Sequence, residues 1–335
     1  MKRARLILAL VLIVAFLPPS LMLARRMLLD SRRSPAGAEV LVEVPKGAGV
    51  MQVGRLLKQA GVIEGPWMLA LAARLTGQAG RLRAGEYSLG PAMSLRQIVA
   101  ILAAGRVVLH QALIPEGFTL EQIVDRLAGL RLLERDRALE LARDPAFIAG
   151  LGLKGDSLEG YLFPDTYRLA RGLGARAVLA ALVRRFQQEW EALDPAAQAL
   201  GLSRREAVTL ASIVEREAQV EAERPLISAV YLNRLRLGMK LQADPTVLYG
   251  LSGTGGGPTR EDLARDHAYN TYTREGLPPG PICSPGLASL RAAVRPAQVD
   301  YLYFVARGDG SHAFSVDYRD QVNNVIRLRR QQRGR

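Results

Sequence analysis

Two glutamates, Glu215 and Glu217, stand near the end of a segment whose spacing predicts a helix. Ser203 and Glu206 have the separation of a capping box, in which hydroxyl and carboxylate each satisfy an orphan backbone N–H, so the helix is expected to begin there. On a helical wheel Ala207, Leu210, Ala211, Val214 and Ala218 form one apolar stripe, Arg216 points away from it, and the two glutamates fall on opposite flanks. A helical side chain leans over the preceding turn, so Glu217 meets Val214 and Ile213 whereas Glu215 meets Ser212 and Ala211. The surroundings of Glu217 are the more apolar. A carboxyl pressed against apolar surface loses hydration, its charged form is disfavoured, and it keeps a proton nearer neutral pH. A protonated carboxyl is what a glycosidic oxygen needs from an acid catalyst. The same residues also suit an ordinary surface helix whose glutamates pair with Arg216 or Arg224. Spacing alone leaves both readings open.

The segments downstream are rich in groups that bind hydroxyls and amides. Asn233-Arg-Leu leads to Gln242-Ala-Asp244-Pro-Thr246, then to the glycine-rich stretch Gly250–Gly257, to Tyr269-Asn270-Thr-Tyr272, and to Gly276-Leu-Pro-Pro-Gly-Pro-Ile-Cys283-Ser-Pro-Gly286. So much Pro and Gly forms constrained, non-repetitive backbone. Asn, Gln, Tyr and Thr held on it are suited to sugar hydroxyls and acetamido groups, although Asp244 before Pro245 equally suits a plain turn. Other chemistries find little support. His110, His267 and His312 are isolated, with no paired His or Cys spacing, so no metal is expected. The glycine stretch lacks the Lys-Ser/Thr ending and preceding strand of a phosphate loop, and no cofactor is expected. Cys283 is the sole cysteine and reads as a small buried hydrophobe.

The elements that position these residues are short. Three strand–helix modules precede them: Glu39–Val44 with a helix around Val53, Leu56 and Leu57; Glu86–Leu89 with Ser94–Leu102; and Gln111–Ile114 with Thr119–Leu127. The last two helices open with capping boxes, Ser94/Gln97 and Thr119/Gln122. Residues 130–200 read as mainly helical, interrupted by Leu158–Tyr167, whose Gly, Pro, Asp and aromatics predict a shaped turn. Tyr301–Val305 and His312–Ser315 read as strands. The fold class expected is α+β, with mixed sheets.

At the N-terminus, Lys2, Arg3 and Arg5 precede the uncharged run Leu6–Ala24, which ends at Arg25 and Arg26. Nineteen residues at about 1.5 Å each span about 28 Å, enough for a bilayer core, and no small-x-small cleavage site follows. An uncleaved transmembrane anchor over residues 1–30 is the reading, with a polar linker over 31–38. The net charge of +13 is concentrated at the ends, with +6 in residues 1–33 and +5 in the last nine, which leaves +2 between. No basic stripe with interleaved aromatics marks a nucleic-acid surface, and nucleic acid is not an expected partner. The end charges read as a membrane flank and a solvated tail over 327–335.

Seven motifs then fall in order: Glu159-Gly-x-Leu-Phe-Pro-Asp-Thr-Tyr167, Ala211-Ser-Ile-Val-Glu-Arg-Glu217, Asn233-Arg-Leu235, Leu241-Gln-x-Asp-Pro-Thr246, Tyr269-Asn-Thr-Tyr272, Gly276-Leu-Pro-Pro-Gly280 and Tyr301-Leu-Tyr-Phe-Val305. Together they resemble the MltG (YceG-like) family of lytic transglycosylases over nearly the whole chain. The resemblance implies a small LysM-like subdomain over 39–109 and a catalytic domain over 110–326. It also implies a periplasmic enzyme, held at the inner membrane by a single span, that cuts nascent peptidoglycan strands endolytically. Its products would carry 1,6-anhydro-N-acetylmuramic acid ends, and the cuts would terminate strand elongation beside the glycan polymerases. The second glutamate of the Glu-x-Glu pair, Glu217, would be the one catalytic residue. Glu215, Gln242, Asp244, Asn270 and Tyr272 would be candidates to bind substrate and to stabilise positive charge at the anomeric carbon. Two alternatives stand beside this: a muramidase-type hydrolase in which a carboxylate such as Asp244 activates water, and a non-catalytic wall-binding scaffold.

Overall fold

Short strands, each backed by a helix that starts at a side-chain cap, make up the first third of the protein. The computed structural model describes residues 18–251 and 257–333. Helix α1 (residues 18–29) precedes strand β1 (Val40–Val44), α2 (Val50–Gln59), α3 (Pro66–Leu75), β2 (Gly85–Leu89), α4 (Leu95–Ala104) and β3 (Leu109–Leu113). Then follow α5 (Leu120–Gly129), α6 (Arg135–Ala142), α7 (Pro145–Gly150), β4 (Thr166–Ala170), α8 (Ala175–Glu191), α9 (Asp194–Ala199) and α10 (Arg204–Glu217). A single 3-10 turn (Glu221–Glu223) leads to α11 (Arg224–Arg236), α12 (Asp244–Gly250), α13 (Arg260–Ala264), α14 (Leu287–Val294), β5 (Tyr303–Ala306), β6 (His312–Ser315) and α15 (Tyr318–Arg333). The class is α+β, and the three strand–helix modules are present. The sequence pattern passed over α3, which separates the first two modules. The expected turn at Leu158–Tyr167 is irregular through Asp165 and enters β4 at Thr166. The basic end of the chain is helical as far as Arg333.

The sheets differ from the mixed ones expected. Among the described residues each has two strands, β1 with β2, β3 with β4 and β5 with β6, and the first and third pairs are antiparallel. Strands of four or five residues offer little edge, and helices rather than further strands cover them. All three capping boxes read from sequence are formed, at the starts of α4, α5 and α10.

The chain forms two units. One comprises residues up to Gln111 together with Arg168–Gly174, and the other comprises Ala112–Tyr167 and Ala175 onward. In the first, β1 alternates, burying Val42 and Val44 while Leu41 and Glu43 face out. Val42 stands opposite Tyr87 in the antiparallel register. Leu57, Leu69, Tyr87, Ile98 and Leu102 complete this core, which also takes in Leu29 from the end of α1. Arg171, from the later segment of the same unit, reaches Glu86 on β2 at 3.0 Å, and His110 hydrogen-bonds the other oxygen of that carboxylate. Most of the uncharged run Leu6–Ala24 lies outside the described residues, and among the described residues no helix is long and apolar enough to cross a membrane.

In the second unit α10 is the central element, packed on α11, α12 and α14. Val208, Leu210, Ile213 and Val214 on α10 are fully buried, as are Ile227 and Val230 on α11 and Leu290 on α14.

A close helix contact in the first unit sets a test. A methyl added at Gly54 on α2 would stand 2.6 Å from the carbonyl oxygen of Pro66 and 2.9 Å from its Cα. Alanine is the better helix former by about 1 kcal/mol, but over-packing against backbone costs about 1–3 kcal/mol. Gly54→Ala is therefore expected to lower the thermal midpoint in calorimetry. A raised midpoint would mean that α2 can move off α3 at no cost.

Candidate functional site

Glu217 is the last residue of α10. Ala218 caps the helix in extended conformation (φ −77°, ψ 118°) and donates its N–H to Val214 O at 2.9 Å. The carboxyl therefore sits at the carbonyl end of the helix, where partial negative charge disfavours an ionised acid. The 3-10 turn and Pro225 reverse the chain, and α11 returns beside α10. This brings Tyr231, a buried side chain, to donate its Oη–H to Glu217 Oε1 at 3.0 Å. The Tyr231 ring is itself fixed edge-on to Phe304 on β5 at 5.8 Å. Glu217 is half-buried as a residue, but its carboxyl is strongly desolvated. Desolvation pushes its pKa up to about 7; the Tyr231 hydrogen bond pulls against that rise, and the negative charge of Asp244 adds to it. Among the described residues Glu217 makes no ion pair.

Its neighbour behaves differently. Glu215 pairs with Arg224 at 3.3 Å and accepts the Gly286 N–H at 3.0 Å, with 6% of its side chain exposed. It ties the end of α10 to the starts of α11 and α14. Two glutamates that the sequence left side by side are thus separated by their partners: one has a guanidinium and a backbone amide, the other a single phenol.

Asp244 and Tyr272 lie on the Glu217 side, near enough for the charges to be felt, while Gln242 accepts from Arg234 Nη1 at 3.4 Å. The Tyr272 hydroxyl donates to Asp244 Oδ1 at 2.5 Å. Burial first, then that bond and the charges of Asp244 and Glu217, push the pKa of the Tyr272 phenol well above the usual tyrosine range. Gln242 holds a left-handed backbone conformation (φ 52°) that a non-glycine residue adopts at a cost of about 1–3 kcal/mol. It is kept there by neighbours: its N–H donates to Thr271 O at 3.1 Å, and Ala243 N–H donates to Thr271 Oγ1 at 3.0 Å.

Arg234 fastens this loop to the rest. Its Nη1 donates to Leu241 O at 2.8 Å and its Nε to Leu302 O at 2.6 Å, and its guanidinium lies 5.2 Å from the Tyr303 ring centroid. Beside it Asn233 Nδ2 donates to Val299 O at 2.8 Å and Tyr301 O at 3.1 Å. Asn270, buried at 0% exposure, spends its amide on backbone. Its Nδ2 donates to Arg265 O at 2.7 Å and Leu263 O at 3.1 Å, closing the end of α13, and its Oδ1 accepts Tyr272 N–H at 2.8 Å. Asn270 thereby aims Tyr272.

A second buried acid lies in the same unit. Glu159 accepts Leu120 N–H at 3.0 and 3.1 Å and the Tyr249 hydroxyl at 3.1 Å, covering the start of α5. Burial pushes its pKa up to about 7, against those hydrogen bonds. The sequence marked Glu159 as part of a motif but gave no sign of this role. Tyr231 was missed altogether. It lies just before Asn233-Arg-Leu235, but no local spacing rule links it to a side chain fourteen positions earlier. Cys283 is buried against Ser212, and its Sγ–H donates to the Ser212 carbonyl at 3.4 Å.

The raised pKa of Glu217 makes a stability statement. Between about 4.5 and about 7 the folded protein keeps a proton that the unfolded chain gives up, so this contribution is full below the lower value and is lost as pH rises through the upper one. Glutamine mimics the protonated form. Glu217→Gln is therefore expected to match the wild type in thermal stability near pH 4.5 and to exceed it at pH 8 by about 2–3 kcal/mol. Glu159 is common to both proteins and cancels in the comparison. Equal midpoints at pH 8 would place the Glu217 carboxyl in water.

Comparison with known proteins adds four findings. A family model described as the YceG-like family matches residues 42–327. The endolytic murein transglycosylase of Bacillus subtilis (strain 168) is 30% identical over 304 residues, covering 86% of this chain and 84% of that protein. The protein of the same name from Streptococcus pneumoniae (strain D39 / NCTC 7466) is 29% identical over 318 residues, and the match spans 85% of this chain and 58% of the pneumococcal one. Among solved structures, the 2.6 Å crystal structure of a yceG-like protein from Listeria monocytogenes is similar with a TM-score of 0.59 and 32% identity, over 86% of this chain and 99% of that one.

Proposed function

This chain belongs to the YceG-like family, and from that premise we propose that it is an endolytic peptidoglycan transglycosylase with Glu217 as its one acid and base. The observation that carries the reading is the buried Glu217 carboxyl, held by one phenol and without an ion pair among the described residues, its pKa pushed up to about 7. A group that must first give a proton and then take one back works best when its pKa lies near the working pH. Protonated Glu217 gives its proton to the oxygen joining N-acetylmuramic acid to N-acetylglucosamine, and the C1–O bond breaks. The carboxylate then accepts the proton of the muramyl C6 hydroxyl as O6 closes onto C1. The product carries a 1,6-anhydro end, no water is consumed, and Glu217 is again protonated. Ring closure within one sugar supplies the high effective concentration that replaces an activated water.

The other side chains divide the remaining work. The Tyr231 hydrogen bond occupies Oε1 and leaves Oε2 to meet the sugar oxygen. Asp244 and Tyr272 face the positive charge that builds at C1, and Gln242 presents its amide from the strained turn. Asn270 and Glu215 act by position, one aiming Tyr272 and the other fixing the end of α10.

Residues 1–30 serve as a single-span anchor in the inner membrane, with the rest of the chain in the periplasm. The support is the run Leu6–Ala24 with basic residues at both ends. There the enzyme meets newly polymerised glycan and ends strand elongation beside the polymerases. The strand–helix–helix–strand order of β1, α2, α3 and β2 supports the LysM-like reading of residues 39–109.

The Asp244 charge felt at Glu217 also favours a second reading, in which Asp244 activates water for hydrolysis. Mass spectrometry of products from purified glycan strands separates the two: 1,6-anhydro ends are expected, and reducing muramyl ends would establish hydrolysis. Glu217→Gln is expected to lose cleavage altogether while remaining folded, and retained turnover would remove this mechanism.

Tyr231→Phe tests the phenol. Without that hydrogen bond the Glu217 carboxylate loses about 1.5–3 kcal/mol of stabilisation, so the alkaline limb of kcat/KM should move up by about one to two pH units. An unmoved limb would show that Tyr231 only packs.

A further inference from the structure

The charge of this protein is more unevenly distributed than the sequence suggests. The near-neutral middle of the chain is neutral only on average. The described residues of the first unit carry fourteen Arg and Lys against five Asp and Glu, whereas those of the second unit carry twenty-seven against twenty-seven. Within the first unit three of these arginines line one cavity of about 790 Å3, between the segment that follows α3 and the outer face of α4. Arg81 and Arg83 come from the segment, Arg106 comes from just past α4, and Ala100 and Ala103 provide a floor of small side chains. No acidic residue lines it.

Backbone hydrogen bonds fix the three positions. Arg81 N–H donates to Gln78 O at 3.0 Å, Arg83 N–H to Leu102 O at 3.1 Å and Arg106 N–H to Ile101 O at 3.1 Å. Gly105 makes room for the stem of Arg83: a methyl there would stand 2.6 Å from its Cδ. Elsewhere in the protein arginines meet acids. Arg135 reaches Asp125, Arg185 reaches Asp165 and Arg274 reaches Asp266. The side chains of Arg81, Arg83 and Arg106 have neither an ion pair nor a hydrogen bond among the described residues. Gln78, also in the lining, has an Oε1 that is closed off from solvent and has no hydrogen-bond donor. Leaving such an oxygen unpaired is unfavourable, because the water it gave up is not replaced.

These features ask for one ligand chemistry. Guanidinium groups match phosphate oxygens in charge and in the geometry of paired N–H donors. An acceptor oxygen without a donor is satisfied by a hydroxyl. We propose that this cavity is a binding site for a polyol phosphate ester, a ligand that sets its phosphate among Arg81, Arg83 and Arg106 and draws the Gln78 side chain round so that its orphan Oε1 turns into the cavity and accepts a ligand hydroxyl. Such a group occurs free in solution and as the headgroup of a glycerol phospholipid. The position suits the second source. Arg25 on α1 donates to Leu75 O at 2.8 Å, at the end of α3 from which the Arg81–Arg83 segment departs. The carbonyl end of α4 accounts for only part of the positive charge, since a helix end amounts to about half a negative charge against three guanidinium groups.

The test is calorimetric titration of the full-length protein in neutral detergent with three probes. They are sn-glycerol 3-phosphate, monomeric dihexanoyl phosphatidylglycerol and inorganic phosphate. The wild type is expected to bind at least one of the two esters several-fold more tightly than inorganic phosphate. Arg83→Ala combined with Arg106→Ala should weaken that binding at least ten-fold, and Gln78→Leu should erase the preference over inorganic phosphate. Binding of the lipid alone assigns the site to a membrane headgroup, and equal binding of both esters assigns it to the free phosphate ester. No saturable binding by the wild type would overturn the proposal. So would a double variant with unchanged affinity and only a lower thermal midpoint, because the arginines would then merely screen the end of α4. None of these readouts uses glycan cleavage, so the outcome stands whatever becomes of the Glu217 mechanism.

Discussion

A buried guanidinium that pairs with no carboxylate among the described residues holds the loops beside Glu217 in place. Arg234 is 8% exposed, and it discharges its N–H groups on carbonyl oxygens from two stretches of chain, Lys240–Leu241 and Leu302. Removing a cation from water is costly unless its donors are met. Here carbonyl dipoles meet them while the Tyr303 ring covers a face. Gln242 and Asp244 follow directly from the clamped carbonyls, and Tyr231, which holds Glu217, stands one helical turn before Arg234 on α11. Lysine would keep the charge but could not bond both stretches at once, because it lacks the rigid fork.

The second constraint is the ending of α10. Had the helix continued past Glu217, the carboxyl would sit on an ordinary helix flank, with a helix interior rather than a helix end beneath it. Termination at Ala218 puts the acid where desolvation and the helix end both favour the neutral form. The strain at Gln242 belongs with this. Both are local costs borne by a site whose surroundings are otherwise tightly bonded, as Thr271 and Asn270 illustrate.

Much of the frame was legible beforehand, for reasons that are local. Capping boxes at Ser94, Thr119 and Ser203 declare helix starts within four residues, and all three are formed. The contrast between the flanks of α10 was also visible, because a helical side chain touches only the preceding turn. What escaped was non-local. Glu215 and Glu217 could not be told apart by charge partners, since Arg224, Gly286 and Tyr231 arrive from other elements. Asn270 belonged to a motif that suggested sugar binding, yet its amide is consumed by carbonyls at the end of α13. The basic character of the first unit was hidden for the same reason. It emerges only when the terminal flank, the first three strands and the distant segment Arg168–Gly174 are counted together.

That distant segment has a temporal side. Glu86 is buried on β2, and the arginine that pairs with it, Arg171, stands eighty-five residues further along the chain. During synthesis the strands and helices around Glu86 emerge well before Arg171 exists. Until then a half-compensated carboxylate sits in the nascent core, with His110 as its early companion. The first unit is therefore first in sequence without being first to be complete: its final neutralising contact must wait until the turn, the helices and the strand that follow Gln111 have been made.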